Sequence, residues 1–285
     1  MKEIVVLSGK GGTGKTSIVA SFASLAESKV LADCDVDAAD LHLLLNPKIS
    51  EEREFWSGQV AYIDQEECAE CGLCQELCHF GAIKDFQVDP LLCEGCGFCY
   101  RVCPVDAVTM QDSMSGHWFM SETKYGYLCH ARLGIAQENS GKLVTVVRQN
   151  ARLIAERENL DCIITDGPPG IGCPVISSLS GASLALLVTE SSLSGIHDLE
   201  RVLGVCRHFG IPALVCINKY DINQENTKKI ESYCLDQGVV VVSKIPFDNV
   251  VTEALIKGLP VVEYGDGTPS REIKKLWQFI ARALS

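Results

Sequence analysis

The sequence predicts an α/β fold of three layers with a mostly parallel sheet, into which a small cysteine-rich domain is inserted. Short apolar runs alternate with helical patterns along most of the chain, and connections of this length are typical of parallel β-α-β units. Between residues 60 and 110 the alternation stops and cysteines recur at close spacing. We therefore expect a discontinuous main domain, residues 1–58 and 113–285, and an insert of residues 59–112.

Composition places the chain among soluble globular proteins. Apolar residues make up 47% of the 285 residues and charged residues 22%, and no apolar run approaches the ~20 residues that span a bilayer. The chain opens on Lys2 and a strand pattern rather than on a signal peptide, so we expect a cytoplasmic protein. Thiols stay reduced there, and the 15 cysteines indicate metal binding rather than disulfides. The net charge of −12 argues against a nucleic-acid partner.

A glycine-rich loop follows the first predicted strand, residues 4–7, and precedes a helical pattern at residues 17–26. Its sequence, GKGGTGKT, fits the phosphate-binding pattern G-x-x-x-x-G-K-[ST] in the expected setting. The glycines allow backbone N–H groups to face an anion, and the helix N-terminus adds partial positive charge. We expect Lys15 to reach the β and γ phosphates and the Thr16 hydroxyl to bind Mg²⁺. The sequence thus predicts a P-loop NTPase whose nucleotide contacts are Gly9, Lys10, Gly11, Gly12, Thr13, Gly14, Lys15, Thr16 and Ser17.

Lys10, directly after the first glycine, makes the loop a deviant form of this motif. The chain here resembles the MinD/Mrp group of ATPases, to which the nitrogenase iron protein also belongs. In that family the early lysine reaches across a homodimer to the nucleotide of the partner subunit. The resemblance therefore implies ATP or ADP with Mg²⁺ at the nucleotide face of a homodimer, and catalytic roles for Lys10 and Lys15.

The second predicted strand, residues 29–32, ends in a cluster of carboxylates within the sequence DCDVD. In open α/β sheets, ligands bind beyond the carboxyl ends of the strands. The resemblance makes this segment the first switch of the ATPase. It also puts Asp35 in place of the family's water-orienting carboxylate. Asp35 and Asp166 are therefore predicted catalytic residues, and both join Thr16 at the predicted Mg²⁺ site. Asp37 either contributes through the Mg²⁺ shell or belongs to a solvated acidic turn.

Two runs of four cysteines dominate the predicted insert. Successive cysteines are separated by two, two and three residues in the first run, and the second run repeats that spacing 25 residues later. This is the pattern of bacterial ferredoxins with two 4Fe–4S clusters, in which the fourth cysteine of each run binds the other cluster. Zinc or redox-active thiols are the alternative, since C-x-x-C pairs suit them as well. The predicted ligands are Cys68, Cys71, Cys74 and Cys103 for cluster 1, and Cys93, Cys96, Cys99 and Cys78 for cluster 2.

Other residues of the insert fit this prediction. Gly72 and Gly97 allow tight turns beside a cluster, and short strands are expected to begin at residues 82–83 and 107–108. His79 stands where such domains carry a proline, which leaves the geometry and potential of cluster 2 open. Residues 113–140 then predict an aromatic hairpin that returns to the main domain, and a helix follows at 141–157.

A buried-strand pattern at residues 162–165 ends at Asp166, before the loop Gly-Pro-Pro-Gly. A carboxylate at this point is the Walker B arrangement, which holds Mg²⁺ through water. The loop closely resembles the second switch of MinD/Mrp ATPases. Cys173 matches the spacing of a cluster-binding cysteine in the nitrogenase iron protein, and Cys129 is the nearest candidate for its partner. A third, subunit-bridging cluster on these two cysteines is an open hypothesis, against two ordinary buried thiols.

The C-terminal part continues the alternation, with strands expected at residues 184–189, 213–217 and 239–243. By resemblance, an adenine-contacting asparagine follows one of these strands and a second base-side loop follows another. The corresponding residues are Asn218 with Lys219, and Pro246, Phe247 and Asp248.

The last segment, residues 271–284, places its apolar side chains on one face of a helix. MinD itself binds membrane through a C-terminal amphipathic helix, so this alternative has to be weighed. Here the stripe starts soon after the last predicted strand, and the polar face carries few positive charges. We therefore predict a helix that docks onto the sheet, and no membrane partner.

Both motif sets together predict an ATPase with an inserted two-cluster ferredoxin domain. The first hypothesis is that MgATP binding and hydrolysis in a dimer gate electron transfer from the clusters to a redox partner protein. The second is an ATP-controlled carrier or scaffold that delivers iron-sulfur or mixed-metal clusters to an acceptor protein. A positioning switch like MinD is a third reading, which the acidic charge and the poor membrane helix disfavour.

Overall fold

A nine-stranded sheet organises residues 1–134 and 139–284, the part of the chain that the computed structural model describes. Its strand order is β11-β10-β9-β1-β8-β2-β7-β6-β3, and β4 pairs with β5 in a separate two-stranded sheet. The strands are β1 (Lys2–Ser8), β2 (Lys29–Asp33), β3 (Lys48–Ile63), β4 (Ile83–Lys84), β5 (Gln87–Val88), β6 (Val108–Thr123), β7 (Gly126–Leu133), β8 (Cys162–Pro169), β9 (Leu184–Glu190), β10 (Ala213–Asn218) and β11 (Val240–Ile245).

The middle of the large sheet is parallel. Strand β1 pairs in parallel with both β8 and β9, and the parallel pairing continues from β9 through β10 to β11 and from β8 through β2 to β7. Successive side chains of β1 enter opposite cores: Ile4 and Val6 lie in one hydrophobic cluster, Val5 and Leu7 in the other. A strand buried on both faces has to be apolar throughout, which is why its sequence shows no polar alternation.

Helices cover both faces of this sheet and complete the three predicted layers. The first core joins β1 to α1 and to the last helix, and the second joins it to the helices that follow β8 and β9. The helices are α1 (Lys15–Leu25), α2 (Leu41–Leu45), α3 (Leu73–Glu76), α4 (Phe98–Val102), α5 (Ser140–Arg157), α6 (Cys173–Leu179), α7 (Leu193–His208), α8 (Gln224–Asp236), α9 (Asn249–Ile256), α10 (Val261–Tyr264) and α11 (Thr268–Leu284).

Helix α11 docks onto the sheet, as its sequence predicts. Ile273, Leu276 and Ile280 are buried in the first core, and the Trp277 ring lies 5.0 Å from that of Phe22 between centroids. The apolar face of the helix is therefore covered by its own chain. No helix among residues 1–134 and 139–284 combines the length and the apolarity needed to cross a membrane.

The chain divides into two compact units. The first, the ATPase unit, comprises Met1–Glu52, Trp118–Arg132 and Ser140–Ser285, and the second, the cysteine unit, comprises Arg53–His117 and Leu133–Asn139. The cysteine unit has a small core of its own, with five of the eight cysteines of the two runs packed against it: Cys68, Cys78, Cys93, Cys99 and Cys103.

Strands β3 and β6 differ from the sequence-based expectation. A short strand was expected at residues 107–108, whereas Val108 begins β6, which runs for 16 residues to Thr123. A hairpin then leads into β7, with Thr123 Oγ1 accepting the backbone N–H of Tyr125 at 3.0 Å. The aromatic hairpin predicted within residues 113–140 is thus present, and residues 135–138 of that stretch lie outside the described residues.

Candidate functional site

The glycine-rich loop joins β1 to α1 in a conformation that requires glycine. Gly12 and Gly14 have φ angles of 77° and 92°, in the left-handed region that side chains disfavour. A Cβ atom on Gly14 would also lie 2.5 Å from the Asn218 amide nitrogen. That amide group donates to the Thr13 carbonyl at 2.8 Å, and Lys219 Nζ donates to the Gly12 carbonyl at 3.1 Å. The segment after β10 therefore holds the loop in place.

The loop lines a pocket of about 620 Å³ with the two predicted switch segments. Lys15 is only 5% exposed, and its ammonium lies 4.0 Å from an Asp35 carboxylate oxygen. Pro168 and Pro169 of the second switch segment line the same pocket, as does the exposed side chain of Asp37. The pocket therefore combines a buried cation, a loop of backbone N–H groups and several carboxylates, which suits a metal-bound polyphosphate.

Asp166 has the surroundings of a metal-site carboxylate. It is 1% exposed, its Oδ1 atom has no hydrogen-bond partner among the described residues, and the Thr16 hydroxyl lies near the same carboxylate. Burial raises its pKa to about 6, although Lys15 and the Thr16 hydroxyl act in the opposite direction. A buried carboxylate oxygen without a partner, next to a hydroxyl, fits the oxygen ligands that Mg²⁺ prefers.

Asp35 is also a partly buried carboxylate. Burial raises its pKa to about 6, Lys15 lowers it, and the neighbouring carboxylates of Asp37 and Asp40 raise it further. In the protein without bound cations, Asp35 therefore accepts a proton near pH 6.

Sequence reasoning placed a third carboxylate, Asp33, in the acidic cluster after the second strand but assigned it no role. It lies opposite Asp166 in the register of β2 and β8 and is completely buried. Its two oxygens accept the backbone N–H groups of Asp35 and Leu41, each at 3.2 Å. Burial, the Asp166 charge and the Asp35 charge raise its pKa well above the usual range, against the effect of these hydrogen bonds. Asp33 thus fixes the backbone of the first switch segment, and its place at the carboxyl end of a buried strand was the signal that could have identified it.

Lys10 binds within its own chain in this structure. Its ammonium lies 2.6 Å from Glu190 Oε1 and donates to the Ser194 hydroxyl at 2.9 Å. Lys219 approaches the other oxygen of Glu190 at 3.6 Å. The predicted role of Lys10 at a partner's nucleotide is a property of two chains and stays a prediction.

The residues predicted to contact the base have structural contacts within the chain. Asn218 and Lys219 hold the glycine-rich loop, as described above. Asp248 caps α9 by accepting the N–H of Val250 at 3.0 Å, and the backbone N–H of Phe247 binds Asp221 at 2.7 Å. The Phe247 ring is 52% exposed. An exposed ring on a fixed loop suits stacking against a base, and the contact of Pro246 and Phe247 with adenine stays a prediction.

The four cysteines assigned to cluster 2 line one cavity of the cysteine unit. Cys78, Cys93, Cys96 and Cys99 surround a volume of about 270 Å³ together with apolar side chains such as Phe80 and Phe98. The backbone N–H of Ala61 donates to Cys93 Sγ at 3.5 Å. The first three cysteines of the second run thus line the same cavity as Cys78, the last cysteine of the first run. Crossed ligation in a two-cluster ferredoxin would require this arrangement.

Three of the cysteines assigned to cluster 1, Cys68, Cys71 and Cys74, lie near one another, and the fourth, Cys103, packs against the same core. Burial raises the pKa of the Cys74 thiol, and the neighbouring Cys68 and Cys71 contribute in the same direction. The backbone N–H of Glu70 donates to Cys68 Sγ at 3.4 Å. Thiols with N–H donors to sulfur are compatible with iron-sulfur ligation, and the assignment of these cysteines to a cluster stays a prediction. No group of three or more histidine, cysteine or acidic side chains within residues 1–134 and 139–284 has the spacing for a single metal ion.

The family follows from the sequence match. Residues 4–261 match the CobQ/CobB/MinD/ParA nucleotide-binding domain. The chain belongs to this family. It is a P-loop ATPase of the MinD/ParA type, which accounts for the glycine-rich loop and for the carboxylates at the ends of β2 and β8.

Relatives of this ATPase cover the chain to different extents. An uncharacterized protein of Methanocaldococcus jannaschii is 31% identical over 280 residues, which is 97% of this chain and 95% of the relative. An iron-sulfur cluster carrier protein of Pyrococcus abyssi is 29% identical over 126 residues, 39% of this chain and 42% of that protein. The structure of the septum site-determining protein MinD of Pyrococcus horikoshii, complexed with Mg-ADP, has a TM-score of 0.60 at 20% identity. That superposition covers 100% of this chain and 98% of the other, so the fold is shared along the whole ATPase.

Cys129 and Cys173 differ in their access to solvent. Cys173 is exposed at the first position of α6. Cys129 is buried in β7, where it pairs with Ala32, and burial raises the pKa of its thiol to about 12. A thiol enclosed in the sheet does not face a surface that a second subunit could share, so the structure lends no support to a bridging cluster on these two residues.

Proposed function

We propose that this ATPase binds two 4Fe–4S clusters in its cysteine unit and that MgATP binding and hydrolysis gate electron transfer from them to a partner protein. The observation that carries the proposal is the cavity lined by Cys78, Cys93, Cys96 and Cys99, because cysteines from both runs meet there. A chain that combines such a site with a P-loop pocket has the parts needed to couple nucleotide state to redox chemistry.

The pocket residues have separate tasks in ATP hydrolysis. Lys15 neutralises charge on the phosphates, and the N–H groups of the loop bind their oxygens. Asp35 accepts a hydrogen bond from the attacking water and so orients it. The Asp35 carboxyl group has to be ionised for this role. The Thr16 hydroxyl and the Asp166 carboxylate would hold Mg²⁺, which would shield the phosphate charge, and their proximity supports these roles. The Mg-ADP bound by the Pyrococcus horikoshii MinD supports this assignment.

Dimerisation completes the pocket in this proposal. Lys10 is held by Glu190 in the single chain, and its release toward the nucleotide of a second copy would add a cation at the transferred phosphate. The homodimer therefore forms through the nucleotide face when ATP is bound.

In the cysteine unit, eight thiolates hold the clusters, and backbone N–H groups such as that of Ala61 stabilise the charge on sulfur. When bound, 4Fe–4S clusters store and transfer single electrons. The apolar side chains around the cavity, Phe80 and Phe98 among them, limit the access of water.

An ATP-controlled carrier of iron-sulfur clusters is the second candidate. The partial similarity to an iron-sulfur cluster carrier protein favours it, and the exposed Cys173 offers a thiol outside the two runs. Two clusters held by complete four-cysteine sets favour electron transfer, because a cluster for delivery needs a ligand set that opens.

An anaerobic redox titration followed by electron paramagnetic resonance separates the two candidates. We expect about eight irons per chain, and cluster potentials that differ between MgADP and MgATP. The variant Lys15→Met should retain the iron and lose the difference. Potentials that do not respond to nucleotide, together with iron that chelators remove and that Cys173→Ala abolishes, would contradict gated electron transfer and favour the carrier.

A further inference from the structure

A stack of three aromatic side chains links the first switch segment to strand β6. His42 of α2 lies parallel to His130 of β7, with ring centroids 6.1 Å apart and an angle of 8° between the planes. His130 also stacks on Phe119 of β6, with centroids 4.9 Å apart and an angle of 20° between the planes. His130 Nε2 also forms a hydrogen bond of 3.1 Å with the Ser121 hydroxyl, again on β6. We call His42, His130 and Phe119 the ring stack.

One end of the ring stack is attached to the nucleotide pocket. Helix α2 begins at Leu41, whose backbone N–H is bound by Asp33, the carboxylate that also binds the N–H of Asp35. Leu43 and Leu44 of the same short helix line the pocket. A displacement of the first switch segment on nucleotide binding would therefore act on α2, and with it on the His42 ring.

The other end belongs to a strand that continues into the cysteine unit. Strand β6 is unbroken from Val108 to Thr123. Val108 is 1% exposed and forms part of the core against which Cys99 and Cys103 pack. Because β6 is one continuous strand, a displacement of Phe119 and Ser121 would also shift the residues of β6 nearer to Val108.

We propose that the ring stack transmits the nucleotide state from the first switch segment to β6 and so to the cysteine unit. The inference rests on the proposed function for its purpose, since it names the residues through which nucleotide would act on the clusters. Sequence-adjacent alternatives are less direct: Leu43 and Leu44 face the pocket, whereas His42 is the α2 side chain that stacks on a residue of β7.

Amide hydrogen exchange of the iron-loaded protein tests the inference without measuring electron transfer. With MgATP in place of MgADP, we expect exchange in both α2 and β6 to change by about tenfold in wild type. In His42→Leu the change in α2 should persist, and the change in β6 should fall to about twofold or less. His208→Leu, the same substitution at an exposed histidine of α7, should behave as wild type.

A pair of substitutions at the buried His130 separates the effect of the ring from a general loss of packing. His130→Phe retains a planar ring between His42 and Phe119 and loses only the hydrogen bond to Ser121, so it should keep more of the β6 response than His130→Leu. A β6 response that is equal in His42→Leu and wild type would overturn the inference. So would a wild-type protein in which nucleotide changes α2 and leaves β6 unchanged.

The same samples distinguish this inference from the proposed function. If the cluster potentials do not change with nucleotide but β6 responds in a way that depends on His42, the proposed function fails and transmission through the ring stack is supported. If the cluster potentials respond to nucleotide in His42→Leu as they do in wild type, transmission through the ring stack fails and gated electron transfer is supported.

Discussion

At the scale of single residues, the carboxylates of the pocket are poised near their protonation point. Asp35 and Asp166 both have pKa values raised to about 6, with burial as the largest cause. Lys15 offsets part of this effect at both sites. Without a bound cation, the negative charges of the neighbouring carboxylates repel one another. This is the arrangement expected of a site that binds a metal-nucleotide complex.

The raised pKa of Asp35 predicts a pH-dependent stability in protein free of Mg²⁺ and nucleotide. The folded carboxyl keeps its proton up to about pH 6, whereas an unfolded aspartate loses it near pH ~4. The folded state therefore binds more protons between these values, and its stability falls as pH rises through the window. Asp35→Asn lacks this titration. We expect the variant to gain unfolding free energy over wild type as pH rises from about 4 to 6, with no further gain above it.

Urea denaturation at a series of pH values, followed by circular dichroism, measures this difference. A difference between Asp35→Asn and wild type that is constant from pH 4 to 7 would contradict the assigned pKa. Saturating Mg²⁺ and ATP should reduce the difference, because bound cations favour the ionised carboxylate.

At the scale of elements, the glycine-rich loop depends on backbone conformations that only glycine adopts readily. We expect Gly14→Ala to place about 1–3 kcal/mol of strain at the start of α1, because its φ of 92° disfavours a side chain and its Cβ would approach Asn218. The loop should relax away from the phosphate-binding conformation. ATP affinity, measured by equilibrium dialysis, should fall about tenfold or more.

Gly204→Ala in α7 is the matched control. A Cβ at Gly204 meets no atom within 4 Å, and its φ is not positive. This substitution should leave ATP affinity unchanged and stabilise the helix by about 0.5–1 kcal/mol. Equal ATP affinity in Gly14→Ala and wild type would show that the loop tolerates a side chain there.

A buried ion pair ties three elements of the ATPase unit together. Arg148 of α5 binds both oxygens of Glu3 in β1 at 2.7 Å and donates to the Ser180 carbonyl, just after α6, at 2.9 Å. Arg148→Met leaves the Glu3 charge buried with only the partly exposed Arg152 as a cationic partner. We expect a loss of about 3–5 kcal/mol in unfolding free energy by urea denaturation.

Arg152→Met provides the comparison, since its side chain is 39% exposed and contacts one oxygen of Glu3 at 2.9 Å. It should cost about 1 kcal/mol or less. Similar losses in the two variants would mean that Arg148 contributes no more than an exposed partner does.

The sequence allowed the parallel strands to be predicted because they are apolar throughout, and α1 and α11 because their boundaries follow a motif and an apolar stripe. Strand β3 escaped prediction for a physical reason: it begins with the charged sequence KISEERE, and most of its side chains are exposed. An edge strand of this kind shows no apolar periodicity. The position of Asp33 in the acidic cluster could be predicted, but its role could not, because hydrogen bonds to backbone N–H groups follow no sequence motif.

At the scale of the whole molecule, the chain joins a nucleotide switch to a cysteine-rich unit within one fold. Strand β3 leads out of the ATPase unit and β6 leads back into it, and β3 follows α2 directly in sequence. Each of these two strands therefore has residues in both units.

The proposed crossed ligation by the two cysteine runs makes a prediction that no simpler metal site shares. Cys78 is the last cysteine of the first run, yet it lines the cavity of Cys93, Cys96 and Cys99. Cys78→Ser and Cys93→Ser should therefore alter the same cluster signal in electron paramagnetic resonance, and Cys74→Ser should alter the other, with a loss of up to about four irons in each case. Cys206→Ser, at a cysteine buried in the second core, should keep both signals and all the iron. If Cys78→Ser and Cys74→Ser instead perturb the same signal, each run binds its own metal site. In that case the two sites are independent modules rather than one interlocked ferredoxin domain, and the physical basis for passing an electron between them would be lost.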